Sequence, residues 1–121
     1  MGDPEQLQGA SEVARAFCRS VGFGVLDQTK IATAVAELTR NMIQYAGGGE
    51  LWFSMLRAPR GLEVAAVDRG PGIPDIDAVM STAYRSRTGM GMGLKGVKRI
   101  VDELDIQSSR AGTRIVFRKY A

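Results

Sequence analysis

The chain has 121 residues, enough for one packed domain and little more. Apolar residues make up 45% and charged residues 24%, which excludes wholesale disorder, and 16 basic against 13 acidic residues leave a net charge of +3 with no Lys/Arg run dense enough for nucleic acid or a lipid surface. A single cysteine and no histidine exclude an internal disulfide, a Cys/His metal site and any mechanism using an imidazole of this chain.

In chain order, Leu7, Ala10, Ala14, Phe17 and Val21 step by three and four residues, which predicts a first helix stopped at Gly22. Asp27 is placed to cap a second helix running to Ala46. Its apolar stripe is Ile31, Ala34, Val35, Leu38, Met42 and Tyr45, and Gly47-Gly48-Gly49 ends it. Residues 51–56 and 62–67 are short apolar runs joined across Ala58-Pro59-Arg60-Gly61, which reads as a hairpin. Residues 69–74 are too rich in Gly and Pro for regular structure; a short helical turn is expected over 75–80 and an irregular stretch over 81–93. From Leu94 the spacing to Val97, Val101 and Leu104 predicts a third helix, and residues 106–109 and 114–119 a last hairpin around Ala111-Gly112. The order predicts an α+β fold of two layers, with helices on one face of a mixed, largely antiparallel sheet. No apolar stretch approaches the roughly 20 residues of a membrane helix and Met1-Gly2-Asp3-Pro4 opens no signal peptide, so a cytoplasmic protein is expected.

On the second helix Glu37 and Asn41 are i and i+4, one above the other at the margin of the apolar stripe. A carboxylate and an amide so stacked can share a ligand, Glu37 taking a proton from an attacking hydroxyl and Asn41 offering its carbonyl oxygen to Mg²⁺. The same spacing suits an ion pair of Glu37 with Lys30 or Arg40 on a wet face. At the end of a strand, Asp68-Arg69-Gly70-Pro71-Gly72 puts a carboxylate where it can accept from an exocyclic amino group, while the glycines let backbone approach a flat ring. Adenine carries such a donor and guanine an oxygen in its place, so the arrangement would select ATP; a tight turn in which Asp68 caps its own backbone is the other reading.

Gly89-Met90-Gly91-Met92-Gly93-Leu94 runs directly into a helix, and free N–H groups at a helix N-terminus suit phosphate. Lys95 and Lys98 would each oppose the helix dipole by roughly 0.3–1 kcal/mol, a cost that a bound polyphosphate reverses. A flexible linker has the same composition. The loop lacks both the Gly-Lys-Ser/Thr of a P-loop and the G-x-G-x-x-G of a dinucleotide enzyme. Thr113, after Gly112, can offer its hydroxyl to a pocket near Asp68, or simply serve as a strand former.

In this order the four elements resemble the nucleotide-binding motifs of the GHKL superfamily of ATPases and kinases. The helix with Glu37 and Asn41 resembles its N box, Asp68 to Gly72 its first glycine box, Gly89 to Gly93 its second, and Thr113 its final threonine. The resemblance implies the two-layer GHKL (Bergerat) sandwich as a single domain and ATP with Mg²⁺ as cofactors. It makes Glu37 the general base, Asn41 the Mg²⁺ ligand and Asp68 the adenine contact; Gly70, Gly72, Ile73, Leu94 and Thr113 would bind nucleotide beside it, with Gly89, Gly91, Gly93 and Lys95 around the phosphates.

Within the superfamily, Gly22-Phe23-Gly24, Asp27, the run from Ile31 through Glu37-Leu38-Thr39-Arg40-Asn41, Tyr45-Ala46-Gly47 and Gly93-Leu94-Lys95-Gly96-Val97-Lys98-Arg99 are similar to the RsbT-type serine/threonine switch kinases of bacterial stress signalling. That similarity implies a kinase acting on a STAS-domain protein, a metal-dependent serine phosphatase as a second partner, no nucleic acid or membrane partner, and leaves a homodimer open. The family domain begins with a strand before its first helix, whereas few residues precede Leu7, so an N-terminal edge strand is expected to be missing; Lys95 stands where the family has Pro.

The mechanism expected from this resemblance places ATP between the second helix and the sheet under a lid of residues 81–92. Glu37 orients or deprotonates a partner's hydroxyl for in-line attack, and Arg85, Arg87 and Lys95 neutralise charge. A nucleotide-gated docking module without efficient transfer would keep the same residues. A detached histidine kinase domain would lack its phosphoacceptor, since the chain has no histidine.

Overall fold

The computed structural model describes residues 9–70 and 93–121. Leu7 and the residues before it, on which the expectation of a missing edge strand falls, the turn expected at 75–80 and the lid segment expected at 81–92 lie outside them.

Helix α1, Ala10–Val21, buries Ala10, Ala14, Cys18 and Val21 at helical spacing. Helix α2, Val25–Ala46, starts earlier than the sequence reading placed it. Gly24 is the N-cap, its carbonyl accepting from Gln28 at 2.9 Å, so Asp27 lies inside the first turn rather than capping it. There its carboxylate faces the positive end of the helix dipole. The predicted stripe is the buried face: Ile31, Ala34, Val35, Leu38 and Met42 are all buried. Gly47, at φ 74, closes the helix in the left-handed conformation that lets its N–H turn back to the Ile43 carbonyl, 3.1 Å away.

Strands β1, Glu50–Arg57, and β2, Arg60–Asp68, form the expected hairpin, but Arg60 and Gly61 belong to the ladder, opposite Arg57 and Leu56. The connection is therefore Ala58-Pro59 alone. Helix α3, Gly93–Ile100, ends before the predicted Val101 and Leu104. Leu104 instead sits in β3, Glu103–Ser109, opposite Phe117 of β4, Gly112–Tyr120. Leu104 and Ile106 alternate with Glu103, Asp105 and Gln107, and this period of two overrides the helical spacing carried on from Val97. Lys98 is thereby moved into the last turn of α3, where the dipole favours a cation.

The sheet order is β1-β2-β4-β3, and all described pairings are antiparallel. The helices cover one face. Leu62, Val64 and Ala66 of β2 and Ile115 and Phe117 of β4 point into a core shared with α1, α2 and α3, and Phe17 stacks on Phe53 with ring centroids 5.1 Å apart. On the other face Arg118 bridges Glu63 at 2.7 Å and Glu103 at 3.3 Å. Asp68 and Thr113 are register partners on the two central strands and follow the parity of the buried residues, so both belong to the helix side. No described helix is long and apolar enough to cross a membrane.

Candidate functional site

Glu37 is 4% exposed, so it lies in the buried face rather than on a wet one. A carboxylate cannot be buried cheaply without a partner, and Arg40, one turn on, supplies it by bonding Glu37 Oε1. The pairing weighed from the sequence is present; its solvated setting is not.

Asn41 Nδ2 is buried with no hydrogen-bond partner among the described residues, and so is Gln44 Nε2, three residues further along the same helix. Leaving a buried amide donor unpaired costs about 1–3 kcal/mol. Two such donors at i and i+3 on one helix mark a place where an acceptor-rich group would fit. Triphosphate oxygens are acceptors of that kind, and turning the Asn41 amide presents its oxygen to a hard cation. These residues therefore fit both nucleotide and Mg²⁺. Among the described residues no cluster of three or more Cys, His, Asp or Glu is placed to hold a metal.

Asp68 Oδ1 accepts twice, from the Gly70 N–H at 3.0 Å and from the Thr113 N–H at 3.2 Å. The first bond is the local turn weighed from the sequence. The second crosses to β4 and holds Thr113 against the carboxylate. Both fall on Oδ1, so an incoming donor would meet Oδ2. Thr113 is 5% exposed, and its Oγ1 lies 2.8 Å from Ser108 Oγ. A cleft of about 330 Å³ is lined by Asp68, Ser108, Gly112 and Thr113; a second, of about 460 Å³, opens on the other side of Asp68 between residues 46–50 and Arg69. Glu37 and Asn41 line neither.

Gly112 shapes the junction. Its φ is 146, and a Cβ there would come within 2.1 Å of the Asp68 carbonyl oxygen, so β4 can approach Asp68 only with glycine at this position. Gly93 opens α3, and Lys95 is half-buried in its first turn. The Leu94 side chain belongs to the core, which leaves its backbone as the part able to meet a ligand. Gly72, Ile73, Arg85, Arg87, Gly89 and Gly91 lie outside the described residues. Asp68, Gly70 and Thr113 are thus brought together, while Glu37 and Asn41 share the helix above. Sequence reasoning passed over Gln44, whose signal was its i+3 spacing from Asn41, and Ser108, which becomes visible only once the β3–β4 register pairs it with Thr113.

The chain matches the family model of the histidine kinase-like ATPase domain over residues 2–119. It is 42% identical over 112 residues to the serine/threonine-protein kinase RsbT of Bacillus subtilis (strain 168), covering 90% of this chain and 84% of that protein. To the anti-sigma F factor of Thermoanaerobacter sp. (strain X514) it is 26% identical over 118 residues, covering 92% of this chain and 82% of the relative. Among solved structures, the histidine kinase domain from the blue-light activated histidine kinase of Erythrobacter litoralis EL346 has a TM-score of 0.61 at 20% identity, covering 89% of this chain and 61% of that one; the likeness is one of fold.

Proposed function

The chain belongs to the histidine kinase-like ATPase domain family, and from that premise we propose that it is an ATP-dependent protein serine/threonine kinase acting on a hydroxyl of a STAS-domain partner. One observation carries the reading: Asn41 and Gln44 bury amide donors that no described residue partners, on the helix that also bears Glu37. The similarity to a named serine/threonine-protein kinase supports the choice of reaction.

In this reading the adenine amino group donates to Asp68, and the triphosphate runs past Asn41 and Gln44 towards Gly93 and Lys95 at the start of α3. Mg²⁺, when bound, neutralises charge on the phosphates, with Asn41 as its protein ligand. The partner's hydroxyl oxygen forms a bond to the γ-phosphorus as the bond to the β–γ bridging oxygen breaks; ADP leaves and the hydroxyl proton passes to Glu37. A loose transition state asks for orientation more than for a strong base. A carboxylate held by Arg40 meets that need, because Arg40 fixes Oε1 and with it the direction of the group. Lys95 adds positive charge near the phosphates, and Arg85 and Arg87 are further candidates on sequence grounds. The same reading makes the protein cytoplasmic, with a metal-dependent serine phosphatase as a second partner.

A docking module that binds nucleotide without turning it over is the second reading, and the contact that favours it is the Arg40 bond to Glu37 Oε1, which takes that oxygen away from a partner's hydroxyl and leaves only Oε2 for it. Incubation with γ-labelled ATP and a panel of STAS-domain proteins separates the two. Label on a Ser or Thr of one panel member, lost in Glu37→Gln, supports the kinase. Nucleotide-dependent STAS binding without label supports the module, and absence of ATP binding to folded protein ends both.

A further inference from the structure

A hydroxyl carries one proton, so the partner that takes or gives a hydrogen bond decides how it meets a ligand. The Thr113 backbone N–H is committed to Asp68. Its Oγ1 is 2.8 Å from the hydroxyl of Ser108, its register partner in the β3–β4 ladder, and all three residues line the cleft of about 330 Å³. Ser108 lies in none of the sequence motifs that pointed to nucleotide.

The adenine edge shows a 6-amino donor beside the N1 acceptor. Hypoxanthine and guanine show the reverse, an O6 acceptor beside an N1–H donor. An ionised Asp68 can only accept, so it answers the amino group, and full complementarity needs a donor next to it, aimed at N1. The Thr113 hydroxyl is that donor if its proton is not spent on Ser108.

We propose that Ser108 is a specificity-determining positioning residue: its hydroxyl donates to Thr113 Oγ1, which turns the Thr113 proton outward to donate to purine N1, directly or through one water. Thr113 is buried and Ser108 half-buried, and in such a partly dry setting each bond polarises the next. The inference rests on the proposed contact of the adenine amino group with Asp68, which lines this cleft, and deepens it by assigning the purine selectivity to a residue that does not touch the purine.

The test is calorimetric binding of three nucleotides to the full chain in magnesium buffer. ATP has both groups, purine riboside triphosphate keeps N1 but lacks the 6-amino group, and inosine triphosphate reverses the pattern. Ser108→Ala is expected to weaken ATP and purine riboside triphosphate by about fivefold, the size of one neutral hydrogen bond, while inosine triphosphate holds or improves; Ser108→Thr restores the wild-type ratio. Should the Ala variant fail to fold, Ser108→Cys, a weak donor in the same place, serves the same comparison. Equal weakening of all three nucleotides, or an unchanged ATP-to-inosine triphosphate ratio in a wild type that prefers ATP, overturns the role of Ser108 and leaves the adenine pocket standing. A folded wild type that binds none of the three overturns the pocket and this inference with it.

Discussion

Glu37 and Gln44 show the two ways in which α2 buries polar atoms. Glu37 is compensated by Arg40, whereas Gln44 Nε2 is not compensated by any described residue. The two should therefore respond differently to substitution. Glu37→Gln keeps the side-chain shape and an oxygen for Arg40, so ATP affinity should stay near wild type while phosphotransfer falls about 100- to 10,000-fold, the range for losing a positioned proton acceptor; calorimetry and initial rates of label transfer read the two quantities. Gln44→Leu removes a buried donor that no described residue partners, so the ligand-free protein should gain about 1 kcal/mol in urea unfolding, while ATP binding weakens. Opposite signs in one variant would mark the amide as held for a ligand. Cys18 is a residue of another kind. Burial pushes its thiol above the ordinary value of 9.0, with Arg15 and Arg19 pulling the other way. The group is neutral in the folded chain at physiological pH, so alkylation should be slow and should track unfolding. Below pH 9 its raised pKa leaves stability intact; as pH climbs through 9 towards the raised value the unfolded thiol ionises first, and stability falls.

Among the elements, α2 was legible because its stripe repeats over many turns and nothing competes with it. The third helix was overextended because Leu104 satisfies two periods at once, continuing the steps from Val97 and Val101 and leading the alternation through Ile106. Only the place of Leu104 opposite Phe117 decides between them. Asp27 misled for a related reason: it is a better N-cap residue type than Gly24, yet Gly24 is where the backbone turns. At the site, Glu37 and Asn41 could be paired from spacing alone because one helix carries both. The bonds that join Asp68 to Thr113 and Thr113 to Ser108 cross strands, and no local pattern reports a register. Gly112 is the element that permits the crossing. Gly112→Ala would force a Cβ against the Asp68 carbonyl at a φ of 146, and a loss of about 2–4 kcal/mol in chemical denaturation is expected. If the variant folds, its preference for ATP over inosine triphosphate should fall as well, because the Asp68–Thr113 junction can no longer close.

Across the whole molecule, the order β1-β2-β4-β3 puts Asp68 and Thr113 on the two inner strands, while Glu37, Asn41 and Gln44 ride on the long helix packed over them. The succession of helices and strands could be read from the sequence, but the crossover that makes β2 and β4 neighbours could not, and that neighbouring is what brings Asp68 and Thr113 together. A ligand spanning both layers must therefore stabilise the fold as a unit. Any species that binds only the native state adds RT ln(1 + [L]/Kd), about 2.7 kcal/mol at a hundredfold excess over Kd. ATP with magnesium should raise the unfolding midpoint progressively with concentration, and chelating the magnesium should remove part of the gain, since the phosphates then repel one another beside Asn41. Inosine triphosphate should give a smaller shift at equal concentration, because Asp68 would face O6. Hydrogen exchange should then slow in two places that are distant in sequence, the second half of α2 and the Asp68–Gly70 turn with the start of β4. Protection confined to one of the two would mean that nucleotide does not bridge the layers, and the site would have to be redrawn around whichever half responds.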